Sequence, residues 1–185
     1  MALTGWVSYT LSRSERVIDG VNSVLHKIIP GDVSVENNTS SSQSELTNKR
    51  GWENAAYASH LLKPTDNFNI EYGIRFNLFT VLGGGAFYTY DKAGKVTSTT
   101  FYDKNEVVKN YFMVEPRLNM SYVFNNHSSV KVGYARNSQN IHVVSNSTSG
   151  NPTDVYLPSS NNVMPQFSDQ ISAGYFKNLF NDGLS

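Results

Sequence analysis

The stretch Phe68-Asn-Ile-Glu-Tyr-Gly-Ile-Arg-Phe-Asn-Leu78 decides how this chain is read. Phe68, Ile70, Tyr72, Ile74, Phe76 and Leu78 occupy every second position, and Asn69, Glu71, Gly73, Arg75 and Asn77 fill the gaps without exception. A period of two belongs to a β-strand with one apolar and one polar face. The run matches the roughly 9 to 11 residues that a tilted strand needs to cross a bilayer. Strands in soluble folds average nearer 5 or 6.

The pattern returns downstream. Val114, Pro116, Leu118, Met120, Tyr122 and Phe124 alternate with Glu115, Arg117, Asn119, Ser121 and Val123. Pro116 cannot donate to a ladder, so a bulge or a weakly paired position is expected there. Val130, Val132 and Tyr134 then alternate with Lys131, Gly133 and Ala135, and Asn125 to Ser128 form a tight hairpin turn. Weaker alternation marks Val7 to Leu11, Glu53 to Leu61 and Ile171 to Phe176. Strands are expected near 3–13, 53–62, 67–81, 111–125, 129–137 and 168–179, with an extra one at Val24 to Ile29. Short turns are expected at Lys63 to Asp66, at Asn125 to Ser128 and from Asn181 onward, and long polar loops at 14–50, 83–109 and 138–166. Short and long connections take turns, as in outer-membrane barrels with short periplasmic turns and long extracellular loops.

Composition narrows the classes. Fifteen Lys+Arg balance 15 Asp+Glu in 185 residues, which removes the electrostatic argument for a nucleic-acid partner. There is no cysteine, hence no disulfide framework and no thiolate chemistry. No apolar run approaches the roughly 20 residues of a membrane-spanning helix, and the first residues lack the layout of a signal peptide. A mean hydropathy of -0.38 does not argue against a β-barrel, whose strands are apolar on one face only. The expected fold is all-β: a single partial domain over 1–185, an antiparallel transmembrane β-barrel segment of about six to eight long strands.

On that fold the polar set Glu71, Arg75, Asn77, Glu115, Arg117, Asn119 and Lys131 faces the lumen. The apolar set faces lipid: Phe68, Ile70, Tyr72, Ile74, Phe76, Leu78, Val114, Leu118, Met120, Tyr122, Val130, Val132 and Tyr134. An Arg or Lys facing lipid at mid-bilayer costs roughly 2–4 kcal/mol, so charges confined to one parity support the assignment. Glu115, Arg117 and Arg75 fit a cross-strand ionic ladder better than a substrate site, because buried charges are normally paired. Trp6, Tyr9, Trp52, Tyr57, Tyr72, Tyr122, Tyr134 and Tyr175 fit interfacial girdles, although aromatic rings favour strands in any case. No catalytic constellation is found. His26, His60, His127 and His142 are scattered bystanders, no metal or cofactor motif occurs, and Gly83-Gly-Gly85 reads as a strand exit, not a phosphate loop.

Several strands also carry recognisable words. Gly5-Trp-Val-Ser-Tyr-Thr-Leu-Ser-Arg-Ser-Glu-Arg16, Glu53-Asn-Ala-Ala-Tyr57, Tyr72-Gly-Ile-Arg-Phe76, Glu115-Pro-Arg-Leu-Asn-Met-Ser-Tyr122, Val130-Lys-Val-Gly-Tyr-Ala-Arg-Asn137, Pro152-Thr-Asp-Val-Tyr-Leu-Pro158 and Asp169-Gln-Ile-Ser-Ala-Gly-Tyr-Phe-Lys-Asn178 resemble the barrel strands of TonB-dependent outer-membrane receptors, closest to those with a carboxypeptidase-regulatory-like extension. The resemblance implies a location in the outer membrane of a Gram-negative bacterium. It also implies contact with outer-membrane lipid, uptake of a scarce nutrient ligand, and energy from the TonB complex where a plug domain is present elsewhere. Neither a plug nor an energy-coupling box is recognisable in these residues, and words like Gly5 to Arg16 usually close such a barrel, whereas here they come first. A truncated or internally rearranged barrel wall is therefore expected, with Arg13 to Arg50 as two loops spliced together. Two other readings stay open: a small self-closed barrel with a structural or adhesive role, and a soluble β-sandwich binding module using loop aromatics such as Phe87, Tyr88, Tyr90 and Tyr156.

Overall fold

The computed structural model describes residues 2–12, 15–28, 49–144 and 155–178. Their regular structure is entirely strand: β1 (Ala2–Ser12), β2 (Glu15–Ile28), β3 (Lys49–Thr65), β4 (Phe68–Leu82), β5 (Gly85–Tyr90), β6 (Val96–Tyr102), β7 (Val107–Asn125), β8 (Ser128–Gln139), β9 (Ile141–Val144), β10 (Val155–Pro158) and β11 (Gln166–Lys177). Seven strands make one antiparallel sheet in the order β1-β2-β3-β4-β7-β8-β11, while β5-β6 and β9-β10 are separate two-stranded ribbons. Each long strand is joined to its neighbour in sequence, so the sheet is a meander. It is open: β1 and β11 have no second neighbour among the described residues. With seven strands in simple alternation, β1 and β11 also run in the same direction.

The alternating stretches form strands as expected, with longer ends. Positions 53–62 grow into Lys49–Thr65, and 111–125 into Val107–Asn125. One expectation is overturned. The segment 14–50 is not a loop, because β2 occupies Glu15–Ile28, pairs with β1 through Ser12↔Glu15 and pairs with β3 along its whole length. The extra strand expected from Val24 is thus the end of a 14-residue strand. Residues 29–48, and the turn expected from Asn181, lie outside the described residues. The long segments 83–109 and 138–166 are likewise not structureless, since they hold the β5-β6 and β9-β10 ribbons. Pro116 causes no register shift against β4, where it stands opposite Ile74. The β7-β8 ladder instead begins at Arg117↔Ala135, one residue beyond the position that lacks an N–H.

The register carries a stagger. Ser12, Glu15, Leu62, Ile70, Met120, Val132 and Ala173 form one row of directly paired residues across the sheet. Measured from that row, β1 ends at Ser12 itself, β3 runs on to Thr65 and β7 to Asn125. The tight turns thus recede by about five residues over four strand spacings. With a rise of about 3.3 Å per residue and spacings of about 4.8 Å, setting the turns level tilts the strands by about 40°.

The two faces differ. Glu71, Arg75, Asn77, Glu115, Arg117, Asn119 and Lys131 share one, which we call inner, and the thirteen apolar positions named above share the other, the outer. Near the long connections the inner face is the buried one: Asn77 is 2% exposed and Glu115 4%, whereas Phe76 is 41% and Phe112 65%. Side chains crowd inner-face glycines there. A Cβ on Gly51 would lie 2.3 Å from the Phe79 ring, and one on Gly20 would lie 2.5 Å from the Tyr57 hydroxyl. In this half the sheet is more buried on its polar side, the inverse of a water-soluble protein, while toward the tight turns Glu71, Arg117, Asn119 and Lys131 are exposed.

Candidate functional site on the inner face

Polar side chains from five strands meet on the inner face. His26 Nε2 of β2 lies 3.3 Å from Glu53 Oε2 of β3. The amide of Asn77 on β4 donates to Glu53 Oε1 at 2.9 Å. Arg75 stands between two carboxylates, 3.6 Å from Glu53 and 3.8 Å from Glu115 of β7. The Ser138 hydroxyl of β8 donates to Glu115. This is a cross-strand ladder of alternating sign, and its partners compensate the desolvation of Glu115. It offers hydrogen-bonded charge but no activated nucleophile.

Toward the tight turns the same face opens. Asn69, Glu71, Asn119, Ser121, Lys131 and Ser172 surround a hollow of about 370 Å³. Asn69 donates to the Ser121 hydroxyl at 3.2 Å, and Lys131 Nζ lies 5.3 Å from the centre of the Phe176 ring. Arg117 stands apart, donating to Asn137 at 3.2 Å. The polar set predicted from sequence therefore divides: Arg75, Asn77 and Glu115 join the ladder, Glu71, Asn119 and Lys131 line the hollow, and Arg117 belongs to neither. Among the described residues no cluster of three or more His, Cys, Asp or Glu could hold a metal ion.

The long connections build a cap over one end of this face. Phe79, Val81 and Met113 of the sheet pack against Phe87 of the β5-β6 ribbon, with Tyr102, Val108 and Tyr111 around them. Gly84 and Gly85 carry φ of 143° and 141°, which lets the chain leave β4 and turn into the ribbon. The segment before β11 ties on from the other side. The Tyr111 hydroxyl donates to the Ser160 carbonyl at 2.5 Å, and the Asn161 and Asn162 amides both donate to the Tyr88 carbonyl at 2.8 Å. Lys49 Nζ sits 4.9 Å from the Phe87 ring centre, and burial holds its ammonium below the usual lysine range. Phe87 is thus a core residue, not a loop aromatic open to a ligand, while Tyr88, Tyr90 and Tyr156 are exposed.

Sequence reasoning missed Glu53, His26 and Ser138. Glu53 shares its parity with Ala55, Tyr57 and Ser59, an alternation too weak to assign a face. His26 is not a bystander, because it meets Glu53. Nor is His60 idle, since its Nδ1 lies 2.8 Å from the Tyr72 hydroxyl.

Charge is not confined to the inner parity, as the sequence pattern suggested, because Arg136, Asp169 and Asp19 stand on the outer face away from the strand ends. Arg136 and Asp169 form a two-point pair at 2.7 and 2.9 Å, with the Tyr134 hydroxyl donating to the same carboxylate at 2.8 Å. Asp19 stands opposite Ala58, and its Oδ1 is buried without a partner among the described residues. Aromatic rings on this face stand at both strand ends, with Tyr72, Phe76 and Tyr134 between them. Phe68, Tyr122 and Tyr175 share one row near the tight turns, and Phe112 stands ten residues from Tyr122 along β7. At a tilt of about 40° those ten residues span about 25 Å.

Comparison of the chain with protein-family models, with curated proteins and with solved structures finds no match in any of the three.

Proposed function

We propose that this chain is a wall segment of a TonB-dependent outer-membrane receptor, with its outer face against lipid, its inner face toward an aqueous lumen and its cap on the extracellular side. The observation that carries the reading is the inversion of the two faces: Ile74, Phe76, Leu78, Val114 and Val132 are exposed, while Asn77 and Glu115 are buried. In water such a sheet would present a continuous apolar surface well beyond what soluble proteins tolerate. Against lipid it is the expected arrangement. The strand tilt of about 40° and the aromatic rows about 25 Å apart agree with the dimensions of outer-membrane barrels. The receptor class rests on the strand words quoted above. In that class the cap gathers a nutrient ligand and the lumen wall lines its route, with energy supplied through a plug.

A small self-closed barrel is less favoured, because β1 and β11 run in the same direction and their seam would be parallel. A soluble sandwich lacks a second sheet on the outer face among the described residues.

Export of the chain to the outer membrane of a Gram-negative host tests the reading. Fractionation should place it with the outer membrane, and protease added to whole cells should cut in 83–106 and spare the turns at 66–67 and 126–127. Recovery in the soluble periplasm, resistant to protease and free of detergent, would overturn it.

A further inference from the structure

The outer face is not a uniform apolar wall. A groove of about 670 Å³ crosses it, lined by Gly5, Val21, Ala56, Phe76, Leu78 and Phe112. Its volume lies within the range of sites for small ligands. The small side chains follow from one row, in which Gly5, Val21, Ala56 and Phe76 are paired in succession. Phe76 and Phe112 close the far side, stacked at 6.0 Å with their planes 13° apart.

One rim is polar. Trp52 Nε1 donates to the Ser23 hydroxyl at 2.9 Å, and that hydroxyl donates to the Asn54 side-chain carbonyl at 2.8 Å. Ser23 and Asn54 both line the groove. The relay uses the Asn54 oxygen and leaves its two N–H groups without a protein acceptor among the described residues. Trp52 and Phe112 each lie 13 residues from the tight-turn end of their strands, so the polar rim sits at the level of the aromatic row nearer the cap.

Resting on the membrane reading above, we propose that the groove is a binding site for one acyl lipid, its chain on Gly5, Val21 and Ala56 and its head group, an ester or phosphate oxygen, accepting from Asn54. An apolar trough continuous with the lipid-facing surface has a chain as its natural occupant. The donors at its rim select a chain that carries an acceptor at interfacial depth. Trp52, 46% exposed, covers the junction between the two.

The test uses the full chain in vesicles of phosphatidylethanolamine and phosphatidylglycerol, followed by detergent extraction and native mass spectrometry. Trp6→Phe leaves Trp52 as the single tryptophan, so lipids brominated along the chain report embedding by quenching its fluorescence. The wild type should be quenched and should retain a lipid after extraction. Ala56→Phe and Val21→Trp, which fill the groove, and Asn54→Leu, which removes the donors, should lose the retained lipid, and Val132→Phe on the same face should keep it. Val21 is 62% exposed, so its replacement leaves the fold standing if Ala56→Phe does not. Quenching with equal retention in all variants would overturn the lipid site while leaving the membrane reading intact. Absence of quenching in the wild type would overturn both.

Discussion

Replacing Phe76 with Arg places a charge where the account puts the middle of the bilayer. Phe76 is eight residues into β4, midway between the aromatic levels of Tyr122 and Phe112, which lie three and 13 residues from the turn end of β7. Eight residues at a tilt of about 40° put it about 20 Å from the tight turns. Phe76 also stacks on Phe112, so the reference is Phe76→Ala, which loses the same stacking without adding charge. The Arg variant should be less stable than the Ala variant by about 2–4 kcal/mol, and Phe124→Arg, one residue from the end of β7, should differ from Phe124→Ala by only about 0–1 kcal/mol. Urea unfolding from vesicles, followed by tryptophan emission, measures both differences. Both positions are exposed, at 41% and 55%, so on a water-facing sheet each difference would stay within about 0.5 kcal/mol. Equal, small effects at the two depths would refute the placement of the outer face in lipid.

Other consequences follow from single side chains. Glu115→Ala leaves Arg75 with Glu53 alone and strands the Ser138 hydroxyl, and should cost about 2–3 kcal/mol in the same unfolding assay, whereas Arg117→Ala should be near neutral. Asp19→Val removes an outer-face carboxylate oxygen that has no partner among the described residues and should raise stability by about 1–3 kcal/mol; a loss of stability would contradict this. Burial holds the Lys49 ammonium below its ordinary value of 10.5 in the folded chain, so between the lowered value and 10.5 the unfolded chain binds the extra proton. The cap should therefore become more stable as pH rises through that window, and Lys49→Met should flatten the dependence of protease resistance in 83–106 on pH.

What the sequence disclosed follows from where alternation is strict. On β4 and β7 each face meets one environment through the middle of the strand, so Phe68 to Leu78 and Val114 to Phe124 announce both strand and face. Beyond Leu78 the pattern stops, because Phe79, Thr80, Val81 and Leu82 are all buried beside the cap. A strand covered on both faces reads as a plain apolar run. β2 was hidden for the opposite reason: its outer positions mix Val17, Val21 and Leu25 with Asp19, Ser23 and Lys27, so neither parity is apolar. With β2 unseen, His26 had no strand to stand on, and the ladder was legible only as Arg75 and Glu115. Phe87 looked like a free loop aromatic because nothing local marks β5 as the ribbon that folds back on Phe79 and Met113.

The central claim is that one face of this sheet meets lipid and the other meets water. Since the chain has no cysteine, single cysteines can be placed in turn at positions 70 to 77 of β4 and challenged, in vesicles, with a thiol reagent that cannot enter the bilayer. The account predicts a period of two where the inner face is open: positions 71, 73 and 75 react, 70, 72, 74 and 76 are protected, and 77, where Asn77 is 2% exposed beside the cap, stays unreactive. Reaction at the apolar positions, or equal reaction along the whole stretch, would contradict it.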